Sequence, residues 1–354
     1  MIERIEIRRL RLPLTKPYRL SFGIQHAFDT LLVAITGNGG RTGFGEATLL
    51  PGYTDETVEQ SWTTALAVAP TITRQPIPEA REKLAALIPN AAFTATAFLT
   101  ALDMVEEHPA LARPGKVELL AILSSDGKDA GKAREEVDRL VEAGYGTLKF
   151  KVGFDVEEDL SALETMQRVV DGRARLRVDA NQGFTAAQAI SFLERVNPEG
   201  IELLEQPCDK SDWSAAGEVR PHARVPIMLD ESIYGTADVD RAADGKLADL
   251  IKLKLMKLGD ISALQAALDH ITARGMKPVL GNGVATDIGC WMETAAAPGH
   301  VTLAGEMNGF LKTPVQLMDP PLRMEGACVV LPAEMPSLNV EAADSVTDVR
   351  ADFS

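Results

Sequence analysis

Hydrophobic and polar positions along the chain fall into two textures. In the first third, residues 2–12 alternate apolar and charged in the strand period, and 30–36 is a β-branched apolar run. Residues 41–49 follow an Asn38-Gly39-Gly40 turn and read as a third strand. Apolar residues at helical spacing then predict helices at about 55–69, 77–88 and 91–107. A meander followed by helices is an α+β arrangement.

From about residue 117 the texture becomes a regular alternation. Short apolar runs occupy 117–123, 146–152, 174–179, 200–205, 225–230, 248–255, 277–281 and 301–304. Between them lie amphipathic stretches at 127–143, 155–170, 185–196, 236–244, 259–274 and 286–297. Strands alternating with helices make βαβ units and a parallel sheet, and seven or eight units in about 200 residues suit a (β/α)-barrel better than an open sheet. No G-x-G-x-x-G or P-loop spacing follows the first strand, which argues against nucleotide binding. Residues 321–331 read as one more strand, returning to the N-terminal part.

Polar residues stand where the apolar runs end: Lys149 and Lys151, Asp179 and Asn181, Glu205 and Gln206, Asp230, then Lys252 and Lys254. The steps from Lys151 to Asp179, Glu205, Asp230 and Lys254 are 28, 26, 25 and 24 residues, one βα unit each. All strands of a parallel barrel end on one face, so these residues converge on one pocket. Three converging carboxylates raise one another's pKa unless a cation sits among them. An all-oxygen set favours Mg²⁺ or Mn²⁺ over zinc, and such an ion keeps positions open for a substrate carboxylate. A lysine beside that ion can act as a base, and the ion holds the charge left when an α-proton departs.

Bulk properties narrow the partners. The 354-residue chain carries a net charge of −15, against nucleic acid or an anionic membrane as partner and without bearing on a small carboxylate. Cys208, Cys290 and Cys328 show no C-x-x-C spacing, as in a reducing compartment. No signal-type run opens the chain and no later segment reads as a membrane span, so the expected setting is cytoplasmic.

The stretches TLKFKVG (147–153), RVDANQG (177–183), LLEQP (203–207), LDES (229–232) and ADLIKLKLMKLGD (248–260) together resemble the enolase superfamily, in particular its muconate lactonising enzyme subgroup. The resemblance implies an α/β fold, a modified TIM barrel (β/α)₇β over 116–320. An N-terminal α+β capping domain over 1–115 would be joined by the C-terminal 321–354. It implies Mg²⁺ on Asp179, Glu205 and Asp230, Lys151 and Lys254 as acid/base pair, and Lys149 as electrostatic assistant. Asn181 and Gln206 would support the ligands, with Lys252 non-catalytic. It further implies a small carboxylate substrate and a homo-oligomer. The segment KPVLGNG (277–283) holds no histidine, which favours the lysine–lysine branch over a lysine–histidine one. Where relatives carry a glutamate after the seventh strand this chain has Ala285, with Glu293 and Glu306 as candidate replacements. Glu306-Met307-Asn308-Gly309 stands where dipeptide epimerases show D-x-D. Substrate contacts are expected from Phe22 and Tyr53 in cap loops, and from Asn282, Glu306 and Asn308; Phe28 and Trp291 are weaker candidates. The leading reaction is racemisation or epimerisation of an amino-acid derivative. Cycloisomerisation of a muconate-like diacid, β-elimination, and a non-catalytic carboxylate-binding barrel stay open.

Overall fold

The computed structural model describes residues 1–20, 23–50 and 54–354, and of residues 18–20 and 23 the backbone only. Strands Ile2–Leu20, Gly23–Gly37 and Thr42–Leu49 form an antiparallel meander. Ile5 and Ile7 are buried while Arg4 is exposed, as the alternation requires. Arg8 is the exception, buried yet paired to Glu6 at 2.6 Å and to Asp344. Helices Val58–Ile72, Ile77–Ala85 and Ile88–Val105 cover the sheet's inner face. The first begins with a reciprocal cap between Thr57 and Gln60. The third kinks at Ala91, and Glu56 restarts it by accepting from Phe93 N at 2.7 Å and Thr94 N at 3.2 Å.

That third helix corrects one expectation. By length and composition Ile88–Val105 could cross a membrane, but 78% of it is buried inside the protein, so it is a core helix. It lies close on the sheet because Gly45 has no side chain. A Cβ there would stand 2.2 Å from Thr100 Oγ1 and 2.4 Å from Ala97 O.

The barrel strands are Ala121–Ile122, Thr147–Lys151, Arg175–Asp179, Ile201–Glu205, Ile227–Leu229, Leu250–Leu253 and Lys277–Leu280, hydrogen-bonded as parallel neighbours in sequence order. The expected eighth strand at 301–304 is reduced to one bridge. Gly305 pairs with Leu119, and Glu306 N donates to Leu280 O at 3.0 Å, so this segment links the sheet's two edges. The outer helices are Ala130–Glu142, Val156–Val170, Ala186–Arg195, Trp213–Val219, Thr236–Asp244, Ile261–Ala273 and Asp287–Ala296. Asp129, Asp155, Thr185, Asp212, Asp260 and Thr286 cap six of them through their side chains. Trp213–Val219 was not expected, because two turns are too short to display a period.

The closing segment also departs from expectation. Residues 321–331 form a hairpin, Arg323–Glu325 and Cys328–Leu331, and its second strand pairs with Gly115–Glu118 instead of the cap. The return to the cap is made by Thr347–Phe353, which pairs antiparallel with Ile2–Leu20 in the register Ile5↔Phe353.

Overpacking at the cap sheet gives a first prediction. Gly45→Ala should destabilise the chain by about 1–3 kcal/mol, seen as a lower urea midpoint at unchanged slope. An unchanged midpoint would mean that the helix can withdraw freely from the sheet.

Candidate active site

Two-residue spacing within a strand puts both lysines of each K-x-K pair on the same face. Lys149 and Lys151 on the second barrel strand, and Lys252 and Lys254 at the end of the sixth, therefore point into the barrel together. Between them the third, fourth and fifth strands deliver Asp179, Glu205 and Asp230 at matching heights. The strand registers Lys151↔Asp179, Asp179↔Glu205 and Glu205↔Met228 fix that alignment. Asp179, Glu205, Asp230, Lys149, Lys252 and Lys254 are all buried.

The charges alternate. Lys151 Nζ lies 2.6 Å from Asp179 Oδ2. Lys149 Nζ lies 2.8 Å from the same oxygen and 2.9 Å from Glu205 Oε2. Lys252 Nζ is 3.0 Å from Glu205 Oε1 and 3.3 Å from Asp230 Oδ2. Lys254 Nζ ends the row, 2.6 Å from Asp230 Oδ1. Beneath the row, Glu306 Oε2 meets Lys149 at 2.8 Å and Lys252 at 2.6 Å.

Backbone strain supports this geometry. Asn181 and Gln206, each just past a carboxylate-bearing strand, hold left-handed φ values of 40° and 37°. Asn181 accepts from Lys151 Nζ and donates to Glu231 Oε1 at 3.0 Å, while its backbone N–H donates to Asp179 Oδ1 at 2.9 Å. Gln206 Oε1 accepts from Asp230 N at 3.0 Å, and its amide donates to Ser232 Oγ at 2.8 Å. Gly153 has φ +98°, and a Cβ there would lie 2.4 Å from Ala180 O. The loops carrying Lys151 and Asp179 onward are thus pressed backbone to backbone.

The electrostatics follow from burial and neighbours. Burial works against the Lys149 charge, but Asp179, Glu205 and Glu306 outweigh it and raise its pKa. Burial would raise Asp179; Lys149 and Lys151 instead bring it down to about 2. Asp230 is likewise held well below the usual carboxylate range, with Lys254 and Lys252 overcoming burial. Glu205 is raised by burial and by Asp179. Glu231 is pushed up to about 7 by burial and by Asp230, and its buried Oε2 has no hydrogen-bond partner.

Among the described residues no three acidic side chains are gathered as a ready coordination shell, since lysines stand between them. The donors nevertheless suit a hard cation: every carboxylate is oxygen-only, and Glu231 Oε2 is a buried acceptor left over beside the row. Asp179, Glu205 and Asp230 are the residues that would hold it.

Several expectations change. Lys252, expected to be non-catalytic, is built into the row through Glu205 and Asp230; the period-two spacing in KLK was the available signal. Glu306 holds Lys149 and Lys252 on its Oε2, while its Oε1 faces the space beside Gly283. Asn282 donates to Met256 Sδ at 2.8 Å, accepts from Val284 N at 3.0 Å and lines a small cavity together with Glu46 and Glu293. Asn308 is buried and accepts from Lys312 Nζ at 3.3 Å. Phe28 and Trp291 are core, the latter 6.5 Å from the Phe44 ring. Phe22 and Tyr53 lie outside the described residues.

The place beside Ala285 is filled from the cap by a residue that sequence reasoning missed. Glu46 accepts from Thr286 N at 2.9 Å and from Thr48 Oγ1 at 3.0 Å. Glu293 lies across a small cavity from it, accepting from Leu255 N at 3.0 Å, with Oε1 unpartnered. Burial pushes both carboxyls up to about 7. In the unfolded chain they titrate near 4.5, so between the two values the folded state binds more protons. Their contribution to stability is full below about pH 4.5 and is lost as pH rises through 7. Glu293→Gln should therefore gain on the native chain as pH goes from 5 to 8, toward roughly 3 kcal/mol, in denaturant titrations at each pH. A difference independent of pH would sink this account.

Comparison with known proteins agrees with the geometry. Residues 132–341 match the family model described as enolase C-terminal domain-like. The L-Ala-D/L-Glu epimerase of Bacillus subtilis is 27% identical over 84% of this chain and 84% of its own length. The crystal structure of N-succinyl Arg/Lys racemase from Bacillus cereus superposes with a TM-score of 0.88 at 22% identity, covering 100% of both chains. The dipeptide epimerase from Cytophaga hutchinsonii, complexed with Mg and D-Ala-L-Val, also gives 0.88, at 18% identity and the same coverage. With its capping sheet, its parallel half-barrel and its lysine–carboxylate row, the chain belongs to the enolase superfamily, as an isomerase-type member of the muconate lactonising enzyme subgroup.

Proposed function

We propose that this chain is a Mg²⁺-dependent racemase or epimerase of an amino-acid derivative, in which Lys151 and Lys254 serve opposite faces of the substrate α-carbon. The observation that supports it most is the position of these two ammonium groups at the two ends of one row, each beside its own carboxylate, Asp179 or Asp230. A planar intermediate held over the middle of the row has one lysine on either side.

Asp179, Glu205 and Asp230 would hold Mg²⁺, which would supply positive charge at the substrate carboxylate and so make the α-proton more acidic. The chain's own residues do the rest. Asp179 and Asn181 aim the Lys151 nitrogen; Asp230 aims that of Lys254. Lys149, between Asp179 and Glu205, adds positive charge where the enediolate develops. One lysine takes the α-proton, and the other delivers a proton to the opposite face, inverting the centre. The two lysines differ in access: 39% of the Lys151 side chain is exposed against 4% of that of Lys254. A proton on Lys151 exchanges with solvent, while one on Lys254 is sheltered.

In D₂O, Lys254→Ala should lose α-proton exchange from one enantiomer and Lys151→Ala from the other, each by about 10²–10⁴-fold. Exchange from both enantiomers surviving either substitution would end the two-base reading. With the native chain, the enantiomer served by Lys254 should keep more of its original hydrogen, measured by mass spectrometry of both substrate and product. Dialysis against a chelator should abolish exchange and Mg²⁺ restore it; persistence without the metal would remove the ion from the scheme.

A further inference from the structure

The far end of the barrel, where its strands begin, holds a cavity of about 640 Å³, within the range of small-molecule sites. Leu250 and Leu303 line it, and with Leu203, Met228 and Val279 they form an apolar layer. Leu203, Met228 and Leu250 each stand two residues before a member of the lysine–carboxylate row: Glu205, Asp230 and Lys252. The layer therefore lies one step down the strands, between this cavity and the row.

Strand register decides which charges face the cavity. Lys252 points into the barrel, and its registered neighbour on the seventh strand is Val279. Lys277, two residues earlier and level with Leu250, points inward as well. On the third strand Arg175 precedes Arg177 and Asp179 at the same spacing, on the same inward face. Arg175 and Lys277 both line the cavity. Their strands stand four places apart in the sheet, so the two cations flank the mouth from opposite sides.

Two carboxylates line it too, and each is held by another arginine. Glu202 accepts from Arg177 Nε at 3.1 Å and Nη2 at 2.7 Å, and lies 3.7 Å from Arg175. Asp249 pairs with Arg220 at 2.6 Å and accepts from Ile227 N at 2.9 Å. Lys277 has no ion pair among the described residues. Four cations thus meet two carboxylates here, in a chain whose net charge is −15. Arg177 is wholly buried and its Nη1 lacks a hydrogen-bond partner, a further sign of unmet donor capacity at this end.

We infer that this cavity is a second binding site, for a small organic dianion. Its two ends meet Arg175 and Lys277, and its apolar middle lies on Leu250 and Leu303. A monoanion answers one side of the mouth only, and a cation meets an excess of like charge. The site does not depend on the reaction at the row, because the apolar layer stands between them.

Three probes of similar length test this: adipate, hexanoate and hexylammonium, with two negative charges, one negative charge and one positive charge. Binding to the Mg²⁺-loaded chain is measured by calorimetry. Carboxylates can also reach the row, so the binding assigned to the cavity is the part that Arg175→Gln and Lys277→Gln remove. Each substitution should weaken that adipate binding at least about fivefold, and the two together should remove it, with Mg²⁺ affinity unchanged. Hexanoate should bind there about tenfold more weakly than adipate, and hexylammonium not measurably. If the double variant does not fold, as judged by circular dichroism, the single variants decide. Adipate binding unmoved by either substitution, or hexylammonium binding as well as adipate, overturns the assignment. Loss of adipate binding together with loss of Mg²⁺ affinity places the adipate at the row and overturns it as well.

Discussion

The structure depends on one constraint: seven charged side chains must share the interior of an apolar barrel. Unpaired, each would cost several kcal/mol to bury. Arranged as lysine, carboxylate, lysine, carboxylate across five adjacent strands, each finds opposite charges within about 3 Å and like charges only at the next remove. Such a row tolerates little slippage. A one-residue shift in any strand would send its charge into the apolar layer under the helices and leave two neighbours unpaired. The strand registers, the left-handed residues after Asp179 and Glu205, and the Gly153–Ala180 contact all hold that phase.

The cap is tied to the same constraint. Glu46 crosses from the cap sheet to the backbone of Thr286, where the barrel itself offers only Ala285. Arg81 of the cap pairs with Asp103 at 2.7 Å and with Asp260, the cap of a barrel helix, at 3.3 Å. These contacts place the meander over the strand ends, and the apolar clusters of cap and barrel meet through Met256 beside the row. The site is therefore enclosed by two parts of the chain with different architectures, held by a few polar contacts in an apolar seam.

Much of this was legible in the amino-acid order because buried parallel strands leave two local marks: a short apolar run, and a polar residue where it ends. Both recur once per βα unit, so spacing marks a charged residue at each of five strand ends, while the choice of Lys151 and Lys254 within their K-x-K pairs came from the family resemblance. The features that escaped are those decided by distant partners. Gly115–Glu118 pairs with Cys328–Leu331, not with a cap strand, and nothing in either segment names its partner. Glu46 sits in a strand that is buried from Gly43 to Leu49, and only docking shows that it reaches the barrel. Lys252 carried the right periodicity but no expected role, and Glu306 acquired its lysine partners only once the last segment closed the sheet. The apolar Ile88–Val105 shows the converse, since composition alone cannot distinguish a core helix from a membrane span.

The terminal strand Thr347–Phe353 has a consequence for how the molecule comes into being. It lies beside Ile2–Leu20, some 348 positions earlier, so the cap sheet lacks this strand until everything between the two has been made. Until then the first strand presents open N–H and C=O groups to whatever is near, including a sister chain on the same messenger. Any helper that shields nascent strands should therefore weigh more on the yield of this protein than the strength of its barrel.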